Sequence, residues 1–178
     1  MKGQYAGFYA LAVMVGLLLY FGVRLSESGG LPAASSARVS AASPEVVRTA
    51  TGAQDLLIPA SRGGAYMTEV YVNGSPVVML VDTGASYVTL RDRDALSAGI
   101  NPNPGDYRYR FSTANGQVEA ARAELDRFEL GPVMLENVTA FIIPDDKLEV
   151  SLLGMNALQE FGRVEMSAEG LRLSFEDR

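Results

Sequence analysis

From about Leu56 onward, apolar and polar residues alternate in short runs broken by turn residues, the two-residue period of half-buried β-strands. Tyr66 to Val72 (YMTEVYV) and Pro76 to Val81 (PVVMLV) flank Asn73-Gly74, and Asn-Gly between apolar runs is the strongest short-range signal for a tight hairpin. A second Asn-Gly, Asn115-Gly116, joins Tyr107 to Thr113 to a long segment from Gln117 to Leu130. In that segment Val118, Ala120, Leu125 and Phe128 alternate only in part, which predicts a bend or bulge within a projecting hairpin. Val133 to Ile143 and Ser151 to Leu153 give further strands, and Arg163 to Met166 with Leu171 to Phe175 predict a closing hairpin about Glu169-Gly170. Helical signals are few. Asp92 to Ala98 predicts a short helix capped by Asp92 and ended by Gly99, and Met155 to Phe161 predicts another after Gly154. The expectation is one mostly β domain over residues 56–178.

The N-terminal third follows other patterns. Residues 6–23 (AGFYALAVMVGLLLYFGV) form an uncharged apolar run long enough to cross a bilayer, with Lys2 before it and Arg24 after it. They predict a transmembrane anchor over residues 1–24. A cleaved signal peptide is the rival reading, but its apolar region is normally shorter, and the nearest small-residue cleavage candidates, around Ala33 to Ala37, lie far past the run. The flanking charges are nearly balanced and do not set the orientation. From Leu25 to Asp55 the chain turns to Ser, Ala, Gly and Pro with scarcely a large apolar residue, which predicts a flexible linker.

Composition narrows the chemistry. The chain of 178 residues has neither Cys nor His, which removes thiol nucleophiles, Ser-His-Asp and Cys-His catalysis, imidazole bases and His-based zinc sites. Its net charge of −6 falls to about −8 without Lys2 and Arg24, and such a chain repels phosphate backbones, so no nucleic-acid partner is expected. No metal or other cofactor is expected either. Carboxylates, Lys, Tyr, Ser and Thr are left to do chemistry.

One stretch needs a special explanation: Val78 to Leu90, VMLVDTGASYVTL. Asp82-Thr83-Gly84-Ala85 interrupts two apolar strands, and a carboxylate there is costly unless hydrogen-bonded, while Gly84 lets backbone approach it. The plain reading is an Asx turn, a common use of Asp, Thr and Gly. The motif's placement between two apolar strands, in a chain lacking other catalytic side chains, favours a chemical role. Asp92 and Asp94 beside Arg91 and Arg93 fit a charged helix start, and Asp145-Asp146 before Lys147 fits a surface loop.

With these residues in view, the sequence from Ala65 to Phe175 resembles the retropepsin-like aspartic proteases, in particular bacterial membrane-anchored members with a single D-T-G-A motif. Val81 to Ser86 matches the family's catalytic loop, and Thr113-Ala114-Asn115-Gly116 falls where the family has a flap tip. Leu152-Leu153-Gly154-Met155 matches its hydrophobic-hydrophobic-glycine element, which supports that loop. The resemblance implies an all-β, closed β-barrel lobe with one or two short helices, active as a twofold homodimer. It implies a water activated between two aspartates, one as base and one as acid, sharing a proton. This chain has one D-T-G, so the second aspartate would be Asp82 of another copy. Thr83 would brace the two loops, Gly84 and Ala85 border the substrate, and Ala114, Asn115 and Gly116 close over a polypeptide bound as an extended strand. Tyr107 and Tyr109 either line the cleft or are half-buried strand residues. With the default orientation, N-terminus inside and the bulk outside, a bacterial member of this kind is expected in the inner membrane with its protease domain on the periplasmic side. Two other readings remain open at this level: a noncatalytic peptide-binding module of the same fold, and a structural β domain in which Asp82 only shapes a turn.

Overall fold

The computed structural model describes residues 45–48, 54–61, 63–113, 116–167 and 170–174. The predicted anchor and most of the predicted linker lie outside the described residues. The barrel is carried by the compact unit Ala41–Phe111 with Gln117–Arg178.

In chain order the elements are β1 (Glu45–Arg48), β2 (Gln54–Ile58), β3 (Met67–Val72), β4 (Ser75–Val81), β5 (Val88–Arg91) and α1 (Asp92–Ser97). They continue with a single 3₁₀ turn (Pro104–Asp106), β6 (Tyr107–Thr113), β7 (Gly116–Leu130) and β8 (Val133–Ile143). β9 (Ser151–Leu153), α2 (Met155–Phe161), β10 (Arg163–Met166) and β11 (Leu171–Ser174) complete them. Strands β3-β4-β9-β5-β8-β7-β6 are neighbours in that order, and β3 also pairs with β7 through Tyr71 opposite Glu129 and Val72 opposite Phe128. Six strands therefore close into a barrel, and β6 is left outside the closure. This is the mostly β, closed-barrel lobe with two short helices that the sequence leads one to expect.

A second sheet, β1-β2-β11-β10, is antiparallel throughout. Among the described residues its first strand is Glu45–Arg48, inside the stretch that composition marks as linker. Val46-Val47 is too short a β-branched run to show a period in Ser/Ala-rich surroundings, and only pairing with β2 makes it a strand. Leu56, Ile58, Leu171 and Leu173 of this sheet share one core with Val70, Met79, Leu90, Leu125, Phe128, Ile142 and Leu158. Each large side chain fully buried there contributes about 1.5–3 kcal/mol.

The two-residue turn at Asn73-Gly74 has both residues at positive φ, 49° and 84°, as a hairpin matched to strand twist requires. Asn73 also ties the turn to the barrel. Its Oδ1 accepts the Arg127 N–H at 3.0 Å, and its own N–H donates to the Arg127 carbonyl at 2.9 Å. Those bonds fall where β7 changes face. Ala121 and Leu125 turn inward before this point and Phe128 and Leu130 after it, an odd-to-even switch. Opposite it, Asn137 of β8 stands at φ 56° and the β8 pattern switches too, while β7 and β8 keep one register on either side. The break in alternation is thus a shared bend without a slip, and it turns the end of β7 onto β3 to close the barrel.

Helix α1 lies within the predicted span and is followed by Gly99 at φ 78°, but Asp92 is not its cap. The N-cap residue is Arg91, without a side-chain cap bond. The Asp92 carboxylate instead accepts the Tyr107 hydroxyl, a long-range partner invisible to local pattern.

Candidate active site

Strand β9 is inserted between β4 and β5, parallel to β4 and antiparallel to β5. The chain leaving β4 must cross the end of β9 to reach β5, and the crossing segment is Asp82 to Tyr87. Three backbone bonds fasten it. The Asp82 N–H donates to the Leu153 carbonyl at 3.1 Å, and the N–H groups of Met155 and Asn156 donate to the Ala85 and Ser86 carbonyls at 2.8 and 3.1 Å. Leu153 is fully buried and Leu152 half-buried beneath the loop.

Within the loop, Gly84 N–H donates to Asp82 Oδ1 at 2.8 Å, and Ala85 N–H donates to the Asp82 carbonyl at 3.1 Å. The carboxylate is thereby held in one orientation while its residue remains half-buried and its neighbours Thr83 and Gly84 are exposed. A Cβ at position 84 would stand 3.1 Å from Asp82 Oδ1, so Gly keeps that oxygen accessible to the backbone donor. Gly154 is under tighter constraint. A Cβ there would lie 2.3 Å from the Tyr87 carbonyl oxygen, an overlap with backbone that no rotamer relieves.

Asn156 is the support that sequence reasoning missed. Its Oδ1 accepts the Val88 N–H at 2.8 Å and its Nδ2 donates to the Thr139 carbonyl at 2.8 Å, bridging the loop's exit to β8. Both partners are distant in sequence, at Val88 and Thr139, so no local pattern signals them. The loop borders a cavity of about 370 Å³ lined by Thr83 to Tyr87, Met155, Asn156 and Gln159, all uncharged.

Asp82, Thr83, Gly84 and Ala85 are therefore brought together with Leu152, Leu153 and Gly154. Ala114 and Asn115 lie outside the described residues. At Gly116, φ is 110° and the carbonyl accepts the Thr113 hydroxyl at 2.8 Å. Tyr107 packs against the main core and hydrogen-bonds Asp92, a structural role; burial, then the Asp92 carboxylate, push its phenol well above its usual range. Tyr109 is exposed and lies edge-on to Phe141. The other acids are engaged elsewhere: Asp145 with Arg93 at 3.1 Å, Asp146 with Lys147 at 2.9 Å, and Asp94 with Arg91 at 3.0 Å.

Comparison with known proteins agrees with this geometry. The family model described as "gag-polyprotein putative aspartyl protease" matches residues 68–160, which span the loop, the β6–β7 hairpin and the glycine element. The chain belongs to the retropepsin-like aspartic protease family. A crystal structure of a retropepsin-like aspartic protease from Rickettsia conorii superposes with a TM-score of 0.60 at 30% identity, covering 67% of this chain and 98% of that one. An uncharacterized protein of Sinorhizobium sp is 33% identical over 128 residues, 72% of this chain and 55% of its own length. An uncharacterized protein of Rickettsia prowazekii is 30% identical over 121 residues, 68% of this chain and 52% of its own. The chain thus spans about half the length of the curated relatives it matches.

Proposed function

We propose that the protein is an aspartic endopeptidase in which two copies each contribute Asp82 to one shared active site. The observation that carries this reading is the Asp82 carboxylate, oriented by the Gly84 N–H on a loop that borders an uncharged cavity. Activating the water and protonating the scissile carbonyl in one step takes a base and an acid together, and a twofold axis through the loop supplies the second carboxyl group by symmetry.

In the dimer, the pair holds a water between them and shares one proton. The ionised Asp82 takes a proton from the water as it attacks the scissile carbonyl, and the protonated one donates to the carbonyl oxygen. Thr83, exposed beside Asp82, braces the loop against its symmetry mate in this reading. Gly84 and Ala85 border the bound polypeptide, and the tip at Ala114, Asn115 and Gly116 closes over it as an added strand. Residues 1–24 anchor the chain in the inner membrane, with the protease domain periplasmic. Confinement there raises the local concentration of the two halves.

The test is a peptide-library cleavage assay on the protein and on Asp82→Asn from pH 4 to pH 7, with the dimer fraction measured on the same samples. Cleavage is expected to require Asp82, to rise with dimer fraction, and to follow a bell-shaped pH profile whose two limits belong to the pair. Specific activity independent of concentration in a protein that stays monomeric would refute the shared site.

A further inference from the structure

Strand β6 ends the sheet of the barrel: its neighbour is β7, and no strand among the described residues pairs with its other edge. Arg108, Tyr109 and Arg110 are exposed along it, and its sequence, YRYRFST, has no acidic residue. Elsewhere the arginines are neutralised locally. Among the described residues, Arg91, Arg93, Arg110, Arg127, Arg163 and Arg172 each form an ion pair, whereas Arg108 and Arg122 form none. Arg108 stands 6.0 Å from the centre of the Tyr109 ring, and Arg122 Nη2 donates to the Thr139 hydroxyl at 3.4 Å. These two guanidinium groups line one cavity of about 380 Å³, together with Asp106, Tyr109, Ala123 and Glu124.

We propose that this cavity and the free edge of β6 form an exosite for an acidic, extended polypeptide segment, one of whose carboxylate side chains sits between Arg108 and Arg122. The site shares no lining residue with the cavity at the Asp82 loop and does not depend on the chemistry of Asp82. Its ligand class follows from the donors left over. A guanidinium is always charged and offers five N–H groups in a planar fork that matches a carboxylate. Of the two acids in the cavity, Asp106 already accepts the Asn103 N–H at 2.8 Å and Asn103 Nδ2 at 3.2 Å, capping the 3₁₀ turn. Glu124 is exposed and is the group that opposes an anion there. The edge strand supplies unpaired backbone groups that a peptide can join as a further strand. Charge on an edge ordinarily deters such pairing; here its sign deters the β6 of another copy, which brings the same arginine, and admits an acidic segment. The chain as a whole carries a net charge of −6, so the preference has to arise from contacts at this cavity and not from long-range attraction.

The experiment uses the full chain in detergent, carrying Asp82→Asn so that bound peptides stay whole, and selects binders from a randomised peptide library. The selection is repeated with Arg108→Gln and Arg122→Gln together, with Glu124→Gln, and with Arg163→Gln, which removes the same charge from β10. The expected result is a preference of roughly 10-fold for Asp or Glu over Asn or Gln at one peptide position, the scale of two exposed charge pairs. The double arginine substitution should abolish that preference, Glu124→Gln should raise it, and Arg163→Gln should leave it unchanged. High salt should weaken it. An acidic preference that survives the double substitution overturns the exosite, as does binding without charge preference or no binding at all. Enrichment of Lys or Arg overturns it too, because Asp106 and Glu124 would then govern the cavity. None of these outcomes bears on cleavage at Asp82, which the assay of the unsubstituted protein decides separately.

Discussion

Asp94 and Asp82 are held at opposite ends of the same short strand, β9, and their surroundings differ in kind. Asp94, at the Ser151 end, accepts Arg91 Nε at 3.0 Å, Arg91 Nη2 at 3.2 Å and the Ser151 hydroxyl at 2.6 Å. Arg91 in turn donates to the Glu149 carbonyl at 2.7 Å, so α1, β5 and β9 are joined by one forked ion pair. Asp82, at the Leu153 end, receives one N–H at its carboxylate among the described residues, from Gly84 in its own loop. A saturated carboxylate is a fastener, whereas a half-buried carboxylate oriented by one donor keeps lone pairs for a water or substrate. The same side chain therefore joins three elements at one end of the strand and, at the other, is the one proposed to do chemistry.

Substitutions should separate the two. The largest effect is expected for Asp82→Asn, which should lower cleavage by roughly a factor of 10³ while changing folding stability by less than about 0.5 kcal/mol. Peptidase kinetics beside urea unfolding check both halves, and a large loss of stability would erase the contrast. Asp94→Asn should do the reverse. Breaking its forked pair with Arg91 should cost about 2–3 kcal/mol in urea unfolding, with the activity of the remaining folded protein nearly unchanged.

Asn156→Asp sharpens the comparison by placing a carboxylate directly behind the catalytic loop. The new side chain can still accept from Val88 N–H but cannot donate to the Thr139 carbonyl, and the two oxygens would repel. A loss of about 1–2 kcal/mol is expected, with kcat falling more than the affinity for peptide because the loop is displaced. The smallest effect concerns Asp92. Burial and this carboxylate raise the Tyr107 phenol in the folded protein, so the stabilisation is fully present below the unfolded value near 10 and is lost as pH rises above it. Tyr107→Phe should flatten the alkaline limb of a stability-against-pH curve and leave activity at neutral pH unaltered.

Much of this arrangement is legible in the sequence, and the gaps have physical causes. Strands such as Met67–Val72 and Ser75–Val81 announce themselves through alternation and a turn dipeptide that demands positive φ at both residues. The Asp82 loop is legible because a carboxylate and a glycine interrupt apolar strands. Partners distant in sequence are not. Asp92 reads as a helix cap until Tyr107 arrives across the fold, and Asn156 reads as an ordinary helical residue until Val88 and Thr139 are beside it. The bend in β7 shows as broken alternation, but its cause, Asn73 and the left-handed Asn137, lies in the β3–β4 turn and on β8. Strand β1 carries almost no local signal because its order comes from β2.

The central claim, one active site built from two copies of Asp82, is tested most directly by subunit mixing. Unsubstituted protein and Asp82→Asn, mixed in equal amounts and allowed to exchange, should retain about one quarter of the activity, because only dimers with two intact aspartates cut. Activity should follow the square of the intact fraction across the series. Retention of about half, with a linear dependence, would mean that each chain acts alone and would contradict the shared site.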